Sequence, residues 1–163
     1  MALKKKKTSI LPCVGWREWV GLPDLRVARI KAKVDTGART SALHAFHIRT
    51  TTVDGREVVR FQIHPVQRSA ADVVEVQAEL LGRRLIRNSG GARSSRPVIR
   101  TTLQLGELEW PIELTLVGRD EMGFRMLLGR EAIRRRALVH PGRSFLAGRA
   151  FASVTRSHPG GER

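Results

Sequence analysis

Arg29-Ile-Lys-Ala-Lys-Val-Asp-Thr-Gly37 decides how this chain is read. Ile30, Ala32 and Val34 alternate with Arg29, Lys31 and Lys33, the period of a strand buried on one face. Asp35 ends the strand and Thr36-Gly37 turns the chain away. Thr36 is able to hydrogen-bond backbone around the turn, and Gly37 admits another backbone at close range. A carboxylate is thereby presented at a strand end. The tripeptide occurs once. Composition alone would place Asp-Thr/Ser-Gly in about one chain in ten of this size, so its weight depends on its surroundings.

Outward from this stretch the punctuation is that of an antiparallel β protein. Ile48–Val53 and Arg56–Ile63 flank Asp54-Gly55, the strongest short hairpin signal. Val73–Leu80 alternates apolar and polar, and Leu81–Arg87 reads as its continuation past Gly82. Arg96–Leu105 and Leu108–Val117 pair around Gly106-Glu107, with Pro111 marking an edge or a bulge. Met126-Leu-Leu-Gly129 reads as a short buried strand. Arg130–Leu138 is the one helical segment, with Ala132, Ile133, Ala137 and Leu138 as its apolar positions. Val139-His-Pro-Gly142 ends it, and Arg143–Ala147 is a candidate last strand. Many short strands with one short helix near the end predict an all-β barrel or sandwich.

The 163 residues suffice for one domain with its own core. No apolar run approaches the roughly 18 residues of a membrane span, and the Lys-rich start lacks the apolar stretch of a secretory signal. A cytoplasmic protein with no membrane partner is expected. Residues 1–13 read as a basic flexible tail, 14–150 as the domain and 151–163 as a second flexible tail. The single Cys13 excludes an internal disulfide. Thirty Lys and Arg against fifteen Asp and Glu give a net charge of +15, a field that attracts polyanions.

Two further segments give the Asp35 turn a context. Met126-Leu-Leu-Gly129, followed by a helix, would let the backbone pack tightly beside the turn. Arg87-Asn-Ser-Gly-Gly-Ala-Arg-Ser-Ser95 is a Gly- and Ser-rich tip between strand-like segments, suited to a hairpin that covers a substrate. Arg83, Arg84, Arg87, Arg93, Arg96 and Arg100 crowd it, with no acid from Arg83 to Arg100. Such a flap favours an acidic peptide through charge-assisted hydrogen bonds.

In the order turn, flap, Leu-Leu-Gly-helix, the chain resembles a single-domain retropepsin-like aspartic protease. Gly15–Pro23, Ile30–Ala45, Pro97–Thr101, Glu109–Glu113 and Met122–Arg130 are similar to the bacterial family labelled ATP-dependent zinc protease, which is associated with an ATP-grasp ligase that adds glutamates to a ribosomal protein. The resemblance runs from about Val14 to Leu146. It implies a retropepsin-like acid-protease barrel with one short C-terminal helix. Asp35, Thr36 and Gly37 would be catalytic. Ala38, Arg39, Ser89, Gly90, Gly91 and Arg93 would bind substrate. Because catalysis of this type needs two carboxylates sharing a proton, the second Asp would come from another copy of the chain.

The family label names ATP and zinc, and the residues support neither. There is no Gly-rich loop with Lys-Ser/Thr and no His-Glu-x-x-His helix. His44-Ala-Phe-His47 has a ligand-like spacing, with His64 and His140 elsewhere, but no Cys partners accompany them. No cofactor and no metal are expected. The expected partners are a second copy, an acidic peptide and, as a functional link, the glutamate ligase. The competing reading is a non-enzymatic basic β-barrel that binds RNA or the ribosome. Against it, three Trp, five Phe and no Tyr make few stacking platforms, and Trp16, Trp19 and Trp110 are expected in the core.

Overall fold

A computed structural model describes residues 11–66, 72–87, 89–118 and 123–147. The expected tails lie outside these, apart from residues 11–13. Strand β1 (Cys13–Gly15) is followed by β2 (Arg17–Leu22), β3 (Val27–Asp35), β4 (Ser41–His44), β5 (Phe46–Val53), β6 (Arg56–Ile63) and β7 (Val74–Glu79). Then come β8 (Gly82–Arg87), β9 (Arg93–Leu105), β10 (Leu108–Val117), β11 (Met126–Gly129), helix α1 (Arg130–Ile133) and β12 (Leu138–His140).

Alternation drives the main sheet. Its order is β10-β4-β11-β3-β2-β9-β8, and β10 also pairs with β9, so six strands close into a ring and β8 hangs outside it on β9. Closure buries one face of every ring strand. Leu22, Ile30, Leu43, Ile99, Leu103, Leu114, Leu116, Met126 and Leu128 meet inside with almost no exposure. A three-stranded sheet, β5-β6-β7, adds Val59, Phe61, Ile63 and Val76 to the same core. The described residues therefore form one all-β unit around one core. The Asp54-Gly55 turn is as expected: both residues have positive φ, 51° and 76°, the requirement of the hairpin turn that matches strand twist.

Three expectations are corrected. Leu81–Arg87 does not continue β7. The Leu80 N–H bonds Glu57 O in one sheet and the Leu81 N–H bonds Val98 O in the other, so the chain changes sheets between them. The helix is one turn long, not nine residues. Arg134 leaves helical geometry and Arg135 takes a positive φ of 62°, because Leu138–His140 is claimed by parallel pairing with Cys13–Gly15. Arg143–Ala147 forms no strand. Its end is instead fastened by Glu18, a fully buried carboxylate whose Oε1 accepts N–H groups from Gly15, Leu146 and Ala147 at 2.7, 2.8 and 3.3 Å. Cys13 is an exposed free thiol that opens β1.

The two sheets meet at an aromatic and cationic stack. Phe46 lies between His44 and His64, with centroid distances of 4.5 and 4.0 Å, and Arg125 sits over its ring at 5.4 Å. Arg125 Nη1 is 2.9 Å from His44 Nδ1, and both side chains are buried. The His64 imidazole is held below its ordinary value of 6.5, first by burial and then by the charges of Arg125 and His47. Folding thus opposes protonation of His64. Its contribution is complete above about pH 6.5 and is lost as pH falls, because the unfolded chain takes up the proton first. Urea denaturation from about pH 7 to about pH 5.5 should show declining stability, and His64→Gln should flatten that slope. An unchanged slope in the variant would remove His64 as the cause.

Candidate active site

Asp35 is the last residue of β3 and lies opposite Gly129 in the parallel β3–β11 pairing. Its Oδ1 accepts the N–H groups of Gly37 at 3.0 Å and Ala38 at 3.2 Å. The carboxylate therefore folds over its own turn. A side chain on Gly37 would stand 3.1 Å from that oxygen, which is why a residue without Cβ suits the position. Both bonds fall on Oδ1, leaving Oδ2 without a donor among the described residues. Asp35 is half-buried, and Thr36 and Gly37 are exposed.

The turn is gripped by the β11–α1 junction. The first N–H groups of a helix have no partner inside it. Here the Arg130 N–H donates to Ala38 O at 2.7 Å and the Glu131 N–H to Arg39 O at 3.1 Å. The Arg130 guanidinium donates to Thr36 O at 3.0 Å. The Gly129 N–H donates to the buried Ser41 hydroxyl at 3.0 Å. A Cβ on Gly129 would overlap the backbone of Thr40, so the two segments touch main chain to main chain. The expected packing of Leu-Leu-Gly against the turn is what the geometry gives. Ser41 and Arg130 were missed; a small hydroxyl at a buried strand start is the signal that could have found Ser41.

A cleft of about 570 Å³ opens beside the turn. Arg39, Thr40 and Ser41 line it from the turn, Arg84 and Arg100 from β8 and β9, and Glu113 from β10. Arg84 bonds Glu113 at 3.1 Å and the Thr115 hydroxyl at 3.3 Å. Both members of that ion pair are well exposed, so it adds little stability. β8 and β9 make the expected hairpin, with Arg84 opposite Arg96 and Arg87 opposite Arg93. Like charges placed directly across a ladder repel. Ser89, Gly90 and Gly91 form the exposed tip, Gly91 with φ 82°, and Arg93 is exposed at its base. Asn88 lies outside the described residues. Among the described residues no hydrogen bond joins this tip to the Asp35 turn, whereas Asp35 to Arg39 are brought together in one turn.

His44 and His47 are placed elsewhere. His44 Nδ1 faces the Arg125 guanidinium, an unfavourable neighbour for a metal cation, and His47 is exposed with φ 50°. Among the described residues no three His, Cys, Asp or Glu side chains converge on a common point. Trp110 is buried and donates Nε1–H to Ala132 O at 2.8 Å. Trp16 and Trp19, expected in the core, are only half-buried. Trp19 lies on the outer side of β2 with Arg29 and Lys31 over its ring, and Trp16 precedes β2 with Arg17 over its ring.

A closed β ring, an Asp-Thr-Gly turn at a strand end and a Leu-Leu-Gly segment gripping it define a retropepsin-like domain. Residues 13–150 match the family model described as RimB-like, retropepsin-like aspartic endopeptidase RimB, and the chain belongs to that family. A protein from Desulfotalea psychrophila named probable alpha-L-glutamate ligase is 48% identical over 128 residues, covering 78% of this chain and 28% of that protein. One of the same name from Shewanella pealeana is 45% identical over 135 residues, covering 83% and 30%. The chain thus spans less than a third of the length of these relatives. A crystal structure of a Legionella pneumophila protein of unknown function superposes with a TM-score of 0.70 at 27% identity, covering 83% of this chain and 98% of that one.

Ser41→Ala would leave the Gly129 N–H buried without an acceptor, at a cost of about 1–3 kcal/mol. Gly129→Ala would force the Thr40 backbone aside and cost a further amount of similar size, about 1–3 kcal/mol. Chemical denaturation of both variants checks the grip. Wild-type stability in either would show that the turn does not depend on it.

Proposed function

We propose that the chain is an aspartic peptidase completed by a second copy of itself. The observation that carries this reading is Asp35: one Asp-Thr-Gly carboxylate per chain, at an exposed turn, with Oδ1 held by its own backbone and Oδ2 without a donor among the described residues. Two such turns facing each other would place two carboxylates close enough that only one ionises. The ionised Asp35 would take a proton from a water held between them. The resulting hydroxide would attack the peptide carbonyl, which the protonated Asp35 of the second copy polarises. That proton would then pass to the leaving amine. Thr36, exposed beside Asp35, would hold the two turns together.

The substrate would be an acidic, glutamate-rich protein tail, with a glutamylated ribosomal protein as the candidate and the cytoplasm as the place. Arg39, Arg84 and Arg100 in the cleft, the arginines of the β8–β9 hairpin and the net charge of +15 support it. So does the name glutamate ligase carried by the longer relatives, which suggests a ligase as functional partner. Ala38, Arg39, Ser89, Gly90, Gly91 and Arg93 would contact the peptide, the last four after the hairpin closes over it.

Asp35→Asn should lower cleavage of an oligoglutamyl peptide by at least about 10²–10⁴-fold while leaving the sedimentation of the protein unchanged. Excess Asp35→Asn chain mixed with wild type should suppress wild-type activity. Full activity in the variant would end the proposal, and additive activity in the mixture would end the shared site. Arg39→Glu with Arg100→Glu should raise KM for the acidic peptide at low salt far more than it lowers kcat. An unchanged KM would remove the cleft from substrate binding.

A further inference from the structure

The outer face of the β2–β3 ribbon carries a second concentration of charge and π surface. Arg29, Lys31 and Lys33 occupy the outward positions of β3. Across the ladder, Trp19 lies opposite Lys31 and Arg17 opposite Lys33. The Arg29 guanidinium is layered on the Trp19 ring at 4.2 Å, and the Lys31 ammonium lies 5.1 Å from the same ring. Phe145 stacks against Trp19 at 5.9 Å with 21° between the planes. Arg17 sits between two rings, 4.6 Å from Trp16 and 5.0 Å from Phe145. The rings and cations thus alternate along one continuous strip.

Three physical points mark this strip as a binding surface. The first is charge: none of Arg17, Arg29, Lys31 and Lys33 has an ion-pair partner among the described residues, and Arg17 faces Lys33 as a like-charge pair. Like charges opposed across a ladder are destabilising until an anion lies between them. The second is spacing. Outward side chains along a strand repeat at about 6.6–6.8 Å, so the cations form a straight row able to follow a charged backbone. The third is the rings. A carboxylate chain gains nothing from indole, whereas a guanidinium layered on an indole is a flat platform for a nucleobase. Half-buried Trp16 and Trp19 hold the cations in place and supply the stacking surface.

We propose that the outer β2–β3 face binds single-stranded nucleic acid, with Arg17, Arg29, Lys31 and Lys33 on phosphates and bases stacked on the Trp19–Arg29 platform. This surface faces away from the core and does not use the cleft of Arg39, Arg84 and Arg100. The two activities are therefore separable: the protein would hold a nucleic acid on one face and process an acidic chain at the Asp35 turn.

The test uses the full chain and a fluorescein-labelled oligouridylate of about 12 nucleotides. Anisotropy should show binding that weakens at least tenfold between about 50 mM and about 200 mM salt, with quenching of tryptophan emission. Arg29→Glu with Lys31→Glu should reduce affinity at least tenfold at the lower salt. Trp19→Phe should keep most of the affinity, and Trp19→Leu should lose several-fold and most of the quenching. Asp35→Asn should bind like wild type, so loss of cleavage and loss of binding are told apart. The proposal is overturned by equal binding in the Arg29/Lys31 variant, by absence of quenching, or by displacement of the oligonucleotide by oligoglutamate at equal charge concentration. A variant that fails to fold is recognised by circular dichroism, and the Trp19 pair then decides.

Discussion

Two stretches of main chain meet at Gly129 and Thr40 with no side chain between them, and the geometry of the Asp35 turn rests on that contact. Only an absent Cβ permits it. Once the strands are that close, the Gly129 N–H can reach Ser41, and the first N–H groups of α1 can reach Ala38 and Arg39. The one-turn helix serves mainly as a way to aim two unpaired donors at a loop. Its length is not set by propensity, which would have extended it through Arg134-Arg135-Arg136, but by the β1–β12 pairing that follows.

The same contact orders the rest of the ring. β11 lies between β3 and β4, parallel to one and antiparallel to the other, so it fixes both arms of the Asp35 turn at once. The core then follows from alternation: Ile30, Ala32 and Val34 point inward where Met126 and Leu128 also point inward. The buried Glu18 carboxylate is answered by three backbone donors on Oε1, while its Oε2 and the Thr101 hydroxyl are buried with no hydrogen-bond partner among the described residues.

What could be read from the residues was local. Asp54-Gly55 declares a turn because both positions need positive φ, and Asp35-Thr-Gly declares one because the carboxylate caps its own backbone. Leu127-Leu-Gly129 was legible through the missing side chain. The readings that failed depended on distant partners. β2 hides because Glu18, a charge, occupies an inward position and breaks the apparent alternation. The sheet change at Leu80-Leu81 is invisible because each side keeps its own strand pattern. The short helix was overridden by a pairing with Cys13–Gly15, more than a hundred residues away. Trp19 looked like core because indole is large and apolar, yet its outward register is set by a ladder that only the folded chain reveals.

Among the described residues β8 ends its sheet, and that edge has one more consequence. A strand at the end of a sheet exposes unpaired amides and carbonyls, a template for any extended chain in the vicinity. Leu85 is 63% exposed there, which would make the edge adhesive were it not flanked by Arg83, Arg84 and Arg87. Their mutual repulsion opposes the zipping together of two such edges. On the proposed reading of an acidic substrate, the arginine content of the hairpin would serve two ends at once, recognition and colloidal solubility. A chain evolving toward a neutral substrate would have to find another means of keeping that edge from self-association before it could shed the charge.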